Sequence, residues 1–233
     1  MILSMQGVDR KRDEYKGCGG TIHMEKTNEK YGAYIQILRE ELIPAMGCTE
    51  PIAVAYAAAV ARQTLGELPD KVIVGASGSI IKNVKSVIVP NTDNMKGLNT
   101  AAAAGIVAGK PEKELEVIAE VTPEQTEEIK EFLKTAEITV EHVENGNTFD
   151  IVISVFKGEK SAKVRIANYH TNIVYIEKNG EVLKNIPVRG EAEDGLTDRN
   201  LLNMKDIWDF ANTVDIEDVR CLLYTSPSPR DTE

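Results

Sequence analysis

The sequence predicts an α+β fold: buried Ala-rich helices leading into a mostly antiparallel β-meander. Three observations carry this. Segments 51–61 and 98–108 are built of alanine and other apolar or small residues on nearly every helical face, as buried helices are. Residues 137–177 break into four short strand-like runs separated by Asn- and Gly-containing turns. The 233 residues, 42% apolar and 27% charged, have the composition of a globular chain of one large domain or two small ones.

The elements follow in order. Thr27 or Asn28 caps a helix running to about residue 43, with Tyr31, Tyr34, Ile35, Leu38 and Leu42 at three- and four-residue spacing. Pro44 ends it. The link 45–50 leads to Pro51, which suits the first turn of a helix reaching about residue 65. Segments 71–74 and 86–89 read as strands. Between them lies a small-residue loop, 75–78, followed by Ile80-Ile81-Lys82-Asn83. After a turn-rich stretch, 91–97, the helix 98–108 closes on Gly109. Thr122-Pro123 opens a charged amphipathic helix to about residue 136. The runs 137–143, 148–156, 161–167 and 172–177 then read as antiparallel hairpins, with a further turn at Asn179-Gly180. Residues 203–213 form a last helix carrying Trp208.

Both ends read as foreign to this fold. Residues 221–231, Cys-Leu-Leu-Tyr-Thr-Ser-Pro-Ser-Pro-Arg-Asp, are identified as the in-frame translation of a sequencing-library adapter. Residues 1–23 have no periodicity, and Gly19-Gly20 sits where a ribosome-binding sequence ahead of Met24 would be read as codons. The expected natural segment is therefore 24–220, with 1–23 an untranslated leader. The two ends hold five basic and five acidic residues, so removing them leaves the net charge at −10. Cys18 and Cys221 fall in those ends, leaving Cys48.

That charge, with no offsetting basic block, argues against nucleic acid and anionic membrane as partners. The longest apolar run is about half of a membrane span, and the first residues hold no long apolar h-region, so no signal peptide is expected. Three cysteines are too few for a disulfide framework, which points to the reducing cytoplasm.

Chemistry concentrates at Gly47-Cys48-Thr49-Glu50-Pro51. A cysteine just ahead of a helix faces unsatisfied N–H groups and the positive end of the dipole, which lower its pKa toward thiolate. Thr49 and Glu50 add a hydroxyl and a carboxylate, although the Glu50 charge opposes the thiolate. The bland alternative is a buried apolar cysteine with Thr49 as helix cap. A second polar cluster, Asn168-Tyr169-His170-Thr171-Asn172, lies between two strands, and its alternative is a self-bonded turn. Ser77, Ser79, Lys82 and Asn83 form a third, beside a Gly-rich loop that lacks the P-loop ending. The markers of a zinc site, a disulfide reductase and an α/β-hydrolase are absent from the sequence.

Residues 42–53, Leu-Ile-Pro-Ala-Met-Gly-Cys-Thr-Glu-Pro-Ile-Ala, resemble the N-terminal signature of L-cysteine desulfidases, in the serine dehydratase α-chain-like group of iron–sulfur lyases. Three further stretches resemble that family in the same order. They are Lys82-Asn83 with the following Val87-Ile88-Val89-Pro90, the helix 97–109, and His170-Thr171-Asn172-Ile173-Val174 with Glu177. The resemblance implies cleavage of L-cysteine to hydrogen sulfide, ammonia and pyruvate at a 4Fe–4S cluster held by three cysteines. It makes Cys48 the proton acceptor, or alternatively a cluster ligand. It makes Thr49, Glu50, Asn83, His170, Thr171 and Asn172 the groups that hold the substrate. The family's cluster cysteines lie in an all-helical C-terminal half, before which this chain stops, so no metal ligands are expected within it. The chain by itself is accordingly expected to release no sulfide. The remaining readings are L-serine dehydration by the same chemistry, a non-catalytic amino-acid-binding domain, and a hydrolase pairing Cys48 with His170. A homo-oligomer is compatible with all of them. Truncation is expected to leave the apolar helices at 52–65 and 98–108 exposed.

Overall fold

The computed structural model describes residues 24–42, 45–144, 147–188 and 196–223, the last three of these by backbone alone. The chain is α+β, as its apolar patterning dictates. Helix α1 (Glu29–Glu41) starts at Asn28, whose side chain accepts from the Lys30 amide. Helix α2 (Thr49–Leu65) is buried at every position from 51 to 61. An alanine-rich helix so enclosed packs by backbone approach, and helix α4 (Gly97–Ala108) crosses it closely: a Cβ on Gly105 would lie 2.0 Å from the Ala55 carbonyl oxygen. Helix α3 (Gly78–Val84) is a short connector, and α5 (Pro123–Thr135) begins with a full capping box between Thr122 and Gln125.

Six strands form one sheet: β1 (Lys71–Ala76), β2 (Glu137–His142), β3 (Asp150–Lys157), β4 (Lys160–Ala167), β5 (Ile173–Lys178) and β6 (Glu181–Asn185). Their order is β2-β1-β3-β4-β5-β6, and every pairing is antiparallel except β1 with β2. Alternation places Val72, Val74, Ile151, Ile153, Val164 and Ile166 beneath α2 and α4 with no exposure to solvent. The opposite face carries the alternate residues and is open.

A satellite cluster joins α1 to the last helices, α6 (Met204–Thr213) and α7 (Ile216–Leu223). Phe210 meets Tyr31 and Tyr34 edge-on, with ring centroids 5.5 and 5.3 Å apart. Among the described residues no helix is long and apolar enough to cross a membrane.

Several sequence expectations change. Segment 86–89 makes a single bridge, Ile88 to Lys96, and then closes a loop through the Val89 amide and the Met95 carbonyl. Part of the expected loop after β1 is helix α3. Strand β2 leaves the meander: the buried strand β1 stands between it and β3, and the helical crossover from β1 brings β2 to the edge in parallel. Gly109 has φ −66°, so freedom from the left-handed penalty is not its reason. A Cβ there would lie 2.7 Å from that of Ala59, and space is what requires glycine. The helices expected to be exposed are the core itself. The most exposed large apolar side chains are on α6 and α7 instead, with Met204 82%, Trp208 74% and Ile216 65% exposed. The expected end of the first helix at residues 43–44, and the two terminal segments 1–23 and 224–233, lie outside the described residues.

Candidate active site

The start of α2 is held close to the loop before Pro90, where a Cβ on Gly47 would lie 3.1 Å from the Pro90 ring. Cys48 occupies the N-cap position but makes no capping hydrogen bond. Its thiol instead donates to Glu50, Sγ to Oε2 3.2 Å. The other oxygen of Glu50 accepts from Asn83 of α3, Nδ2 to Oε1 3.4 Å. Thr49 is the first residue of α2, at the same corner.

His170 comes to this corner from the far side of the chain. It lies on the β4–β5 turn, where Asn168 adopts a left-handed φ of 68° and its amide donates to the Phe149 carbonyl. The His170 ring packs on that of Phe149, centroids 4.5 Å apart. The Glu50 carboxylate lies close enough for its charge to act on the imidazole. Burial holds the His170 imidazole below its ordinary range against that charge, so it is neutral at pH 7.

The electrostatics reverse one expectation. The helix start was expected to lower the Cys48 pKa. Cys48 is exposed as a residue, yet partial desolvation of its thiol, and then its hydrogen bond to Glu50 and that group's charge, push it up. A carboxylate 3.2 Å away outweighs the diffuse partial charge of a helix end. Burial works to raise Glu50 itself. Hydrogen bonds from Cys48, its own amide and Asn83, with the charge that His170 carries in acid, outweigh this and hold Glu50 below the ordinary carboxylate range. The proton therefore rests on sulfur, hydrogen-bonded to a carboxylate that takes it only uphill. Glu50→Gln is expected to lower the apparent pKa of Cys48, read from the pH dependence of its alkylation rate. An unchanged or higher value would remove Glu50 as the cause.

The structure thus brings together Cys48, Thr49, Glu50, Asn83 and His170, residues up to 122 positions apart in sequence. It does not bring Thr171 and Asn172 with them. His170 alone of the turn leaves the side shared by Asn168, Tyr169, Thr171 and Asn172. Asn172 donates to the Ala167 carbonyl, 3.0 Å, which is the self-bonded turn. Both it and Thr171 line a separate cavity of about 490 Å³ beside Glu40 and Glu41. Ser77 likewise is structural, donating to the Thr148 carbonyl at 2.7 Å. Among the described residues no hydrogen bond joins Cys48 to His170, so the hydrolase dyad is not formed.

Sequence reasoning missed the support beneath this corner. Asp150 is wholly buried and takes a two-pronged contact from Arg165, with Nε to Oδ1 at 2.9 Å. Asn147 donates to it at 3.0 Å, and its carbonyl accepts from the Ser77 amide at 2.9 Å. Asp150 thereby fixes the strand end that presents Phe149 to His170. The signal was available: an acid at the head of an apolar strand and a base within the next.

No protein-family model matches this chain, and no solved structure does. Curated relatives are found. The UPF0597 protein DSY1109 of Desulfitobacterium hafniense is 50% identical over 200 residues, covering 86% of this chain and 46% of the relative. The UPF0597 protein of Treponema denticola is 43% identical over 201 residues, covering 86% and 47%. That of Lachnoclostridium phytofermentans is 44% identical over 193 residues, covering 83% and 46%. The chain spans about half the length of the curated relatives it matches. These relatives overturn the assignment to the L-cysteine desulfidase family drawn from the Gly-Cys-Thr-Glu-Pro motif. The proteins matched over most of this chain bear the name UPF0597, which states no activity.

Proposed function

We propose that this chain carries the amino-acid-binding and proton-transfer corner of an enzyme that eliminates sulfide from L-cysteine, with dehydration of L-serine as the alternative reaction. The observation that carries this is the convergence of Cys48, Glu50 and Asn83 with His170. The Cα proton of an amino acid is weakly acidic, so elimination needs a base placed there. The thiol proton passes from Cys48 to the Glu50 carboxylate, and the sulfur then takes the Cα proton. The Cα electron pair forms the double bond as the Cβ–S bond breaks, with its pair leaving on sulfur. Protonation releases hydrogen sulfide, and water converts the remaining enamine to pyruvate and ammonia. Thr49 and the first amides of α2 receive the substrate carboxylate, and Asn83 and the neutral His170 orient the substrate by hydrogen bonds.

A 4Fe–4S cluster needs three or four thiolates. The described residues bring one, Cys48, to this corner, and they form no group of three ligands able to hold a metal ion. These residues do not fit the cluster. The raised thiol pKa favours a second reading, in which the corner binds an amino acid without turning it over. An exposed thiol keeps its proton chemistry only where it stays reduced, which supports a cytoplasmic location.

The test uses the longest polypeptide its gene encodes, purified anaerobically and supplied with L-cysteine or L-serine, with pyruvate and sulfide measured. Cys48→Ala is expected to lower kcat by about a hundredfold or more, as loss of a positioned general base does. Full turnover in Cys48→Ala would overturn the role of Cys48. Amino-acid binding with no turnover would establish the second reading.

A further inference from the structure

The chain leaves an exposed apolar stripe and a half-buried apolar groove that match each other. Met204, Ile207 and Trp208 stand at i, i+3 and i+4 on α6, so they form one stripe. It points away from the opposite face, where Phe210 is buried against Tyr31 and Tyr34. The second feature is the open face of the sheet. Ile73, Val143 and Val152 floor a concave groove there of about 530 Å³, with Glu141 on its β2 side and Lys163 on its β4 side. Strands β2 and β4 are three spacings apart, roughly 14 Å. A helix about 10 Å across fits between them. Gly75 deepens the groove, since a Cβ there would lie 2.9 Å from Val143.

We propose that this groove receives helix α6 of a second copy of the chain, with Met204 and Trp208 seated on the apolar floor. Charge selects the direction. Lys205 flanks the stripe, and neither Glu141 nor Lys163 has an ion-pair partner among the described residues. Lys205 of one copy meets Glu141 of the other. A chain of net charge −10 repels its like, so contact needs this local match as well as the apolar stripe. Tryptophan is the residue most able to anchor such a contact. This contact is independent of the chemistry assigned to Cys48.

Trp208 is the chain's one tryptophan, so its emission reports the contact directly. The full chain is examined by sedimentation and by fluorescence over a range of concentrations. Self-association with a blue shift of the emission is expected. Trp208→Asp keeps the fold, because the side chain points outward, and is expected to weaken association by about tenfold or more. Glu141→Lys weakens it too, and adding Lys205→Glu restores it. A chain that stays monomeric at all concentrations overturns the proposal. So does association that Trp208→Asp leaves unchanged, or a charge exchange that restores nothing.

Discussion

Gly105→Ala is expected to destabilise the chain by more than about 3 kcal/mol, the upper range for overpacking a rigid core. In an ordinary helix interior the same change stabilises by about 1 kcal/mol. Here the sign reverses because of what the new methyl meets. It would stand 2.0 Å from the Ala55 oxygen, 2.7 Å from its carbonyl carbon and 2.8 Å from its Cα. All three are backbone atoms of a helix buried on every side, so no side chain can rotate away. Relief requires α2 and α4 to separate, which opens the centre of the core and moves the helix that carries Cys48 and Glu50. Urea denaturation of the two proteins measures it. A variant as stable as the parent would mean that the helices do not cross at this residue.

Asp150→Asn is expected to cost about 3 kcal/mol, the low end for removing one member of a buried ion pair. The low end applies because Arg165, unlike Asp150, keeps 29% side-chain exposure and recovers some hydration. The amide still accepts from Arg165 but no longer neutralises it, and its NH₂ group faces the guanidinium's donors. The loss reaches the candidate site. Asp150 fixes the end of β3, Phe149 precedes it, and the His170 ring rests on Phe149. The variant is therefore expected to lose affinity for an amino acid beyond what its lowered stability explains, measured well below its melting temperature. Unchanged stability and unchanged binding would remove Asp150 from the account.

What was legible in the sequence was local. The alanine-rich helices, the capping of α1 and α5, and the Asn179-Gly180 turn follow from residues within a few positions of one another. Cys48 and Glu50 were legible together for the same reason. Strand β2 was misplaced because its parallel partner comes from 66 residues upstream, and nothing in 137–142 says which edge it will find. The sign of the Cys48 shift was missed because it depends on how far the fold desolvates the thiol and then on where one rotatable carboxylate points. Thr171 and Asn172 were grouped with His170 by adjacency, whereas they line a separate cavity with Asn168 and Tyr169. The Asp150–Arg165 pair joins two strands at a diagonal, a relation that becomes visible once the register of β3 and β4 is known.

The most direct test of the amino-acid site is protection of Cys48. The chain carrying Cys18→Ser and Cys221→Ser has one thiol left, and its rate of alkylation by iodoacetamide is followed with L-serine or D-serine present. L-Serine is expected to slow the reaction saturably, by roughly fivefold at about four times its Kd, since only the unoccupied site reacts. D-Serine should do nothing, and His170→Ala and Asn83→Ala should each weaken the protection. If L-serine leaves the rate unchanged at every concentration, Cys48 does not border an amino-acid site, and the function proposed for this corner is wrong.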